Sequence, residues 1–464
     1  MATTILRDRP QFGTLKRCKK IRERDRISDL PDEILIHILT LLTLKEATVT
    51  GILSKRWRNL WTSCPNLDFE CLKPLKLGNR TYMRCVDNIL RQYSAKKLHR
   101  FRIARPGEPG MLYYFDDWIS FAIKSGVSEL ELNLNAHPGP DDPRNYYFPA
   151  HVFRLSHSAS PNIGKQFESL RDLCLRSVNL ADDVFDLILS SCSSLERFTL
   201  EYSLGLVNAK NTAPHLKLKS LELYCCKDLE YLQVLAPNLM SFKYAGSQKT
   251  LCIKDAKQLA SLRLTNLRDR STSATLSGAK NFVFSQFSSH FPKLKSLVVS
   301  AHLFQGMTDF TELCVFSSLK QLAVDIAHVW STYVGYKVAA SVIRGAPLLE
   351  LLEIVVPPFI VDWLEYPALK LPSMSPPHQT LKEVKLFGFR GDDNTMEFLS
   401  YLSENTASLR KIDITPHSTN RIGEDLEVGR ALYWKTDDAE HAKNCVSQLR
   451  QTLRVDTQLL FRNS

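Results

Sequence analysis

One arrangement of apolar and polar positions, apolar-x-x-apolar-x-apolar, returns twelve times between residues 98 and 414. Clear copies are Leu170/Leu173/Leu175, Leu195/Phe198/Leu200, Leu218/Leu221/Leu223, Leu239/Phe242/Tyr244 and Leu259/Leu262/Leu264, whose starts lie 25, 23, 21 and 20 residues apart. Five later copies begin at Leu294, Leu319, Leu349, Leu381 and Leu409, and two earlier ones at Leu98 and Val127. The closing apolar-x-apolar has the two-residue period of a strand, so each copy predicts one short strand feeding a parallel stack. Between copies, Ala181 to Cys192 carries helical spacing, with Val184, Leu187 and Ile188 turned inward. The pattern predicts strands on the inner face and helices on the outer one.

The amino-terminal region reads differently. Asp32 and Glu33 behind Pro31 mark a helix start, and Ile34, Leu35, Ile38, Leu39, Leu41 and Leu42 then fill an arc of about 160°, wider than the roughly 100° that packing on one core needs. The surplus predicts a second apolar surface, shared with a partner. Leu53, Trp57, Leu60 and Trp61 fall at helical spacing and predict another helix with one large face.

These residues carry two resemblances. Leu30-Pro31 together with the run Leu-Ser-Lys-Arg-Trp-Arg-Asn-Leu-Trp from Leu53 to Trp61 resembles the F-box, and the repeated template resembles leucine-rich repeats. Further on, residues 380 to 450 read as strand, turn, helix, strand and are similar to the FBD domain of plant F-box/FBD/leucine-rich-repeat proteins. The expected fold is α/β: a three-helix F-box, then an irregular leucine-rich-repeat solenoid with a parallel sheet on its concave face, then a C-terminal FBD cap. The corresponding ranges are 1–24 for a basic disordered tail, 25–70 for the F-box, 96–375 for the solenoid and 376–452 for the FBD domain.

The F-box resemblance implies docking onto the Skp-type adaptor of the Skp–cullin–F-box ubiquitin ligase. It implies that Leu30, Pro31, Ile34, Ile38, Leu53, Ser54 and Trp57 face or support that adaptor. Two positions depart from the family pattern: Thr43 stands where proline is common, and Gly51 where a small polar residue is usual. Glycine inside a helix costs about 1 kcal/mol relative to alanine, which predicts a loosened second helix. On the repeats, the positions between the apolar ones should point to the concave side, and Tyr224, Lys243 and Arg263 there form the candidate target-binding centre.

Composition narrows the function further. The chain has 464 residues, a net charge of +11 and eleven cysteines in no regular framework, which suits a reducing compartment, nucleus and/or cytoplasm, better than secretion. The longest apolar run near the start, Ile34 to Leu44, is about half the ~20 residues a bilayer span needs, and no membrane partner is expected. Nine Lys/Arg against three acids crowd residues 7 to 26, including Lys16 to Lys20. This run lacks the aromatic platforms of nucleic-acid binding, which ranks as a minor alternative beside an interaction scaffold without ubiquitin transfer. No phosphate-cradling, nucleophile-elbow or zinc-hydrolase motif and no C-x-x-C pair occurs, so no catalytic residue, cofactor or metal is expected. Cys226 reads as an interior repeat residue. The expected role is a noncatalytic receptor subunit that brings an unidentified target to the ligase.

Overall fold

The computed structural model describes residues 27–105, 111–134, 146–154, 167–211, 213, 215–246, 250–265, 291–304, 315–326, 332–356, 368–416, 436–454 and 456–462. The basic stretch 1–24 therefore lies outside the described residues. The chain divides into two units, residues 1–64 and 65–464.

In the first unit, three short helices follow one another: α1 (Asp32–Thr40), α2 (Leu44–Val49) and α3 (Trp57–Leu60). Pro31 occupies the N-cap of α1, and Asp32 and Glu33 sit in its first turn, where negative charge complements the helix dipole. Thr43 begins α2 with a full capping box. Its hydroxyl accepts from the Glu46 N–H at 3.3 Å, while its own N–H donates to the Glu46 carboxylate at 2.9 Å. The departure at Thr43 is thus compensated by a different start signal. Thr43→Ala is expected to cost about 1 kcal/mol, read as a lowered melting point of the N-terminal unit.

Gly51 corrects the expectation of a loosened helix. It lies beyond α2, in the 3₁₀ turn Thr50–Ile52, and a Cβ built there would come 3.3 Å from the Arg58 Cα. The small residue permits a close backbone approach. The expected helix through Leu53, Trp57 and Trp61 is also broken. Only Trp57–Leu60 is α-helical: the Ser54 hydroxyl accepts the Trp57 N–H at 3.4 Å, a capping-type bond that starts a new turn after Leu53, and a 3₁₀ turn, Trp61–Ser63, follows.

The second unit is built on parallel strands. They are β1 (Asn66–Asp68), β2 (Arg100–Ala104), β3 (Glu129–Asn133), β4 (Asp172–Arg176), β5 (Arg197–Glu201), β6 (Asn208–Asn211), β7 (Ser220–Tyr224), β8 (Tyr231–Leu235) and β9 (Ser241–Ala245). There follow β10 (Thr250–Lys254), β11 (Ser261–Thr265), β12 (Ser296–Ser300), β13 (Gln321–Asp325), β14 (Leu351–Val355), β15 (Glu383–Phe387), β16 (Lys411–Thr415) and β17 (Gln458–Phe461). Among the described residues fourteen strands form one sheet in the order β1-β2-β3-β4-β5-β7-β9-β11-β12-β13-β14-β15-β16-β17. Each of the twelve template copies supplies one of them. Their registers align the middle apolar residue across the sheet, from Leu173 through Phe198, Leu221, Phe242 and Leu262 to Ile412, and every member of this column is buried.

Connector type follows repeat length. A strand advances about 3.3 Å per residue and a helix about 1.5 Å, so a short repeat can return to its start only by extended chain. The 25-residue repeat from Leu170 returns through a helix, Asp182–Ser191, whose Val184, Phe185, Ile188 and Leu189 are buried while Leu187 is half-buried. The next three repeats, 23 to 20 residues long, return through β6, β8 and β10, which form a second parallel sheet in the order β10-β8-β6. The expectation of helices along the whole outer side is corrected there. Longer repeats return to helices, Thr332–Gly345 and Asp393–Asn405.

The sheet also runs beyond the template at both ends. β1 lies inside the range expected for the F-box yet pairs with β2, and β17 pairs with β16. Residues 376–452 continue the same sheet through β15 and β16, packed with the Asp393–Asn405 helix, whose Phe398 ring stacks on Tyr336 at 4.6 Å between centroids. No helix among the described residues is long and apolar enough to cross a membrane.

Cys226 is interior, 2% exposed, and burial pushes its thiol up to about 12, as it does that of Cys192. At pH 8 both thiols are protonated. Iodoacetamide is expected to leave them unmodified in the native chain and to label them after denaturation, as read by peptide mass spectrometry.

Candidate functional site

Two surfaces were legible as candidates, one in each unit. In the first unit, α1 turns Leu35 and Leu39 inward, and Trp57, Leu60 and Trp61 are buried as well. The remaining apolar side chains stay outside: Ile52 is 83% exposed, Leu41 75%, Leu53 63% and Ile34 47%, with Ile27, Val49 and Leu42 also exposed. The wide apolar arc of α1 therefore splits into a packed half and a solvent-facing half. Water-exposed aliphatic side chains in such number on so small a unit are the mark of a surface made to be covered.

Of the residues expected at the adaptor, Pro31, Ile34 and Leu53 are exposed, while Leu30, Ile38 and Ser54 are half-buried. Trp57 is not a surface residue: it is 3% exposed and its Nε1–H donates to the Ser28 hydroxyl at 2.9 Å. Its place is to support. Leu41 belongs to the apolar arc read from the sequence, but sequence reasoning passed over Ile52 and Val49, which are as exposed as the residues singled out, and Arg56. The Arg56 guanidinium donates to Asp32 Oδ1, with Nε at 2.9 Å, and to the Ser28 carbonyl oxygen.

In the second unit, strand register assembles the sheet face. Tyr224, Lys243 and Arg263 lie on the neighbouring strands β7, β9 and β11, with Lys243 beside Glu222 on one side and Arg263 on the other. They are brought together, but not as an open centre. Tyr224 and Arg263 are each 7% exposed; Tyr224 donates its hydroxyl to Glu222, and Lys243 pairs with the same carboxylate at 3.1 Å. Burial and the adjacent Glu222 raise the Tyr224 phenol well above its ordinary range.

The same face carries an ion ladder that the template could not show. Glu131 on β3 holds Arg102 of β2 at 2.9 Å and Arg176 of β4 at 2.7 Å, and Arg176 reaches on to Glu201 of β5 at 3.0 Å. A second ladder links Glu353 to Lys385, Glu383 to Lys411 and Asp413 to Arg462, the last through two bonds at 2.9 and 2.6 Å. From β12 to β15 the face also carries an apolar cluster, Val298, Ala323 and Val355, with Phe387 packed against them, beside the second ladder. Charged positions on β2–β5, the Glu222–Lys243 pair with Arg263 on β7–β11, and this apolar cluster give a patterned face. Among the described residues no group of His, Cys, Asp and Glu could hold a metal ion.

The F-box domain family model matches residues 27–69, and the family described as At1g61320/AtMIF1, LRR domain, matches residues 89–456, most of the chain. The chain belongs to the F-box/LRR-repeat family. Arabidopsis thaliana F-box/LRR-repeat protein 25 is 32% identical over 239 residues, 49% of this chain and 88% of that protein. The putative F-box/LRR-repeat protein At3g18150 of the same plant is 28% identical over 264 residues, 55% of each chain. The match thus spans about half the length of At3g18150 and most of the length of protein 25. A Listeria monocytogenes internalin structure aligns over 74% of this chain and 78% of its own at 12% identity, with a TM-score of 0.26. The family's repeat domain runs through residue 456, so the segment resembling an FBD domain falls within the matched repeats.

Proposed function

We propose that this F-box/LRR-repeat protein is the substrate-recognition subunit of a Skp–cullin–F-box ubiquitin ligase. The observation that carries the reading is the exposed aliphatic surface on the unit that matches the F-box, with Ile34, Leu41, Ile52 and Leu53 in water. A Skp-type adaptor would cover it and through the adaptor a cullin would be recruited. The repeat sheet, with its two ion ladders and apolar cluster, would hold a target protein, and the FBD-like end of the sheet would extend that surface.

The chain's own part in this reading is noncatalytic. Holding a target near a charged conjugating enzyme raises the effective concentration of the target's lysines, so rigidity of the repeats matters more than the pKa of any side chain. Its place of action in this proposal is the nucleus or cytoplasm, where free thiols persist.

The test is a substitution that changes only the surface. Leu53 is exposed and lies in the turn before α3, so Leu53→Asp should leave the melting curve in place and lower capture of a purified Skp-type adaptor at least tenfold, since it buries a charge in an apolar contact. Unchanged capture by the folded variant would count against docking through this face. A scaffold without ubiquitin transfer is separated by target turnover: a captured protein whose level does not rise when the proteasome is inhibited points to that second role.

A further inference from the structure

The candidate docking surface contains a short segment that is braced from elsewhere in the chain. Residues Ile27 to Pro31 form a single turn before α1, closed by the Leu30 N–H on the Ile27 carbonyl at 3.1 Å; the helix holds the Pro31 carbonyl through the Ile34 and Leu35 N–H groups, while the side of the turn around Ser28 reaches across to the residues before α3. Four bonds from a distant part of the chain brace it, two of them from Arg56 to Asp32. The Trp57 indole N–H donates to the Ser28 hydroxyl at 2.9 Å, and the Arg56 guanidinium donates both to the Ser28 carbonyl and to Asp32 Oδ1. The anchored residues Ser28 and Asp32 bracket Asp29, Leu30 and Pro31.

We propose that Arg56 is a positioning residue for adaptor docking, which clamps Ser28 and Asp32 so that Leu30 and Pro31 are presented preordered. The inference rests on the adaptor-docking reading above. Its geometry calls for arginine. One planar guanidinium serves a carboxylate and a carbonyl at once, whereas the single ammonium of lysine is a compact point charge and cannot reproduce the fork. The pair is also poorly suited to a stability role, because the Arg56 and Asp32 side chains are 38% and 57% exposed and exposed ion pairs contribute little. What the clamp supplies is order: releasing even one residue from a fixed backbone weakens subsequent binding by a factor on the order of ten.

The experiment uses the full chain and a purified Skp-type adaptor. Affinity is measured for wild type, Arg56→Gln, Arg56→Lys, Asp32→Asn and the Arg56→Gln/Asp32→Asn double variant, together with melting curves and hydrogen exchange of the Leu30 amide. Each single variant is expected to bind about tenfold more weakly, Arg56→Lys not to rescue, and the double variant to be no weaker than Arg56→Gln alone. Leu30 should exchange faster in the unbound variants while the melting points stay close to wild type. Additive losses, or a normal Asp32→Asn beside a weak Arg56→Gln, would mean that Arg56 touches the adaptor directly and would overturn the proposal. Wild-type affinity in every variant would overturn it too, leaving adaptor docking intact. A folded wild-type chain that does not bind at all would remove both.

Discussion

Trp57→Ala is expected to destabilise the N-terminal unit by about 3 to 5 kcal/mol, the range for emptying a large buried aromatic site. The substitution removes the indole from a unit whose packed interior includes only a few other large side chains, Leu35, Leu39, Leu60 and Trp61 among them. It also leaves the Ser28 hydroxyl without the Nε1–H that donates to it at 2.9 Å. A unit of this size has no reserve of that order. Thermal unfolding followed by tryptophan fluorescence should therefore show the early transition of the N-terminal unit lost, with the repeat unit still folded. A curve superimposable on wild type would contradict the burial of Trp57. Trp57→Phe separates the two contributions, because it keeps most of the packing and loses only the hydrogen bond, for which about 1 kcal/mol is expected.

The second large effect lies in the repeat sheet. Phe242 on β9 is fully buried and sits in register between Leu221 of β7 and Leu262 of β11. Phe242→Ala should cost about 3 to 5 kcal/mol. Because each repeat packs mainly on its neighbours, the damage should begin locally. Hydrogen exchange is expected to quicken first in β7, β9 and β11 and last in β2 and β16, and urea unfolding should broaden. Uniform loss of protection across the whole sheet would show that the array unfolds as one cooperative body instead.

Much of the fold was legible because the repeat announces itself by period. In Leu173/Leu175 or Leu352/Ile354 the apolar positions are the buried ones, and all twelve copies became adjacent strands. What escaped had a physical reason each time. Asn208–Asn211, Asn-Ala-Lys-Asn, buries only Ala209 and Asn211 and carries no apolar signal, so β6 was visible only through the shortness of its repeat. β1 is three residues long with one apolar side chain, Leu67. The docking surface was half legible. Helical spacing treats Leu53 and Trp57 alike, and only the break at Ser54 turns one outward and the other in. The partners of Arg56 lie 24 and 28 residues away in sequence, and the Glu131 ladder depends on strand register, so neither is written in any local pattern.

The central claim is that this chain joins a ligase through its N-terminal unit. Its most direct test is co-purification of the full chain with a Skp-type adaptor and a cullin, beside a control carrying Leu30→Ala and Pro31→Ala. The account predicts a three-component complex with the wild type and its loss in a control that still melts as a folded protein. A folded wild-type chain that captures neither component would contradict it, and the repeat sheet would then stand as a free interaction scaffold.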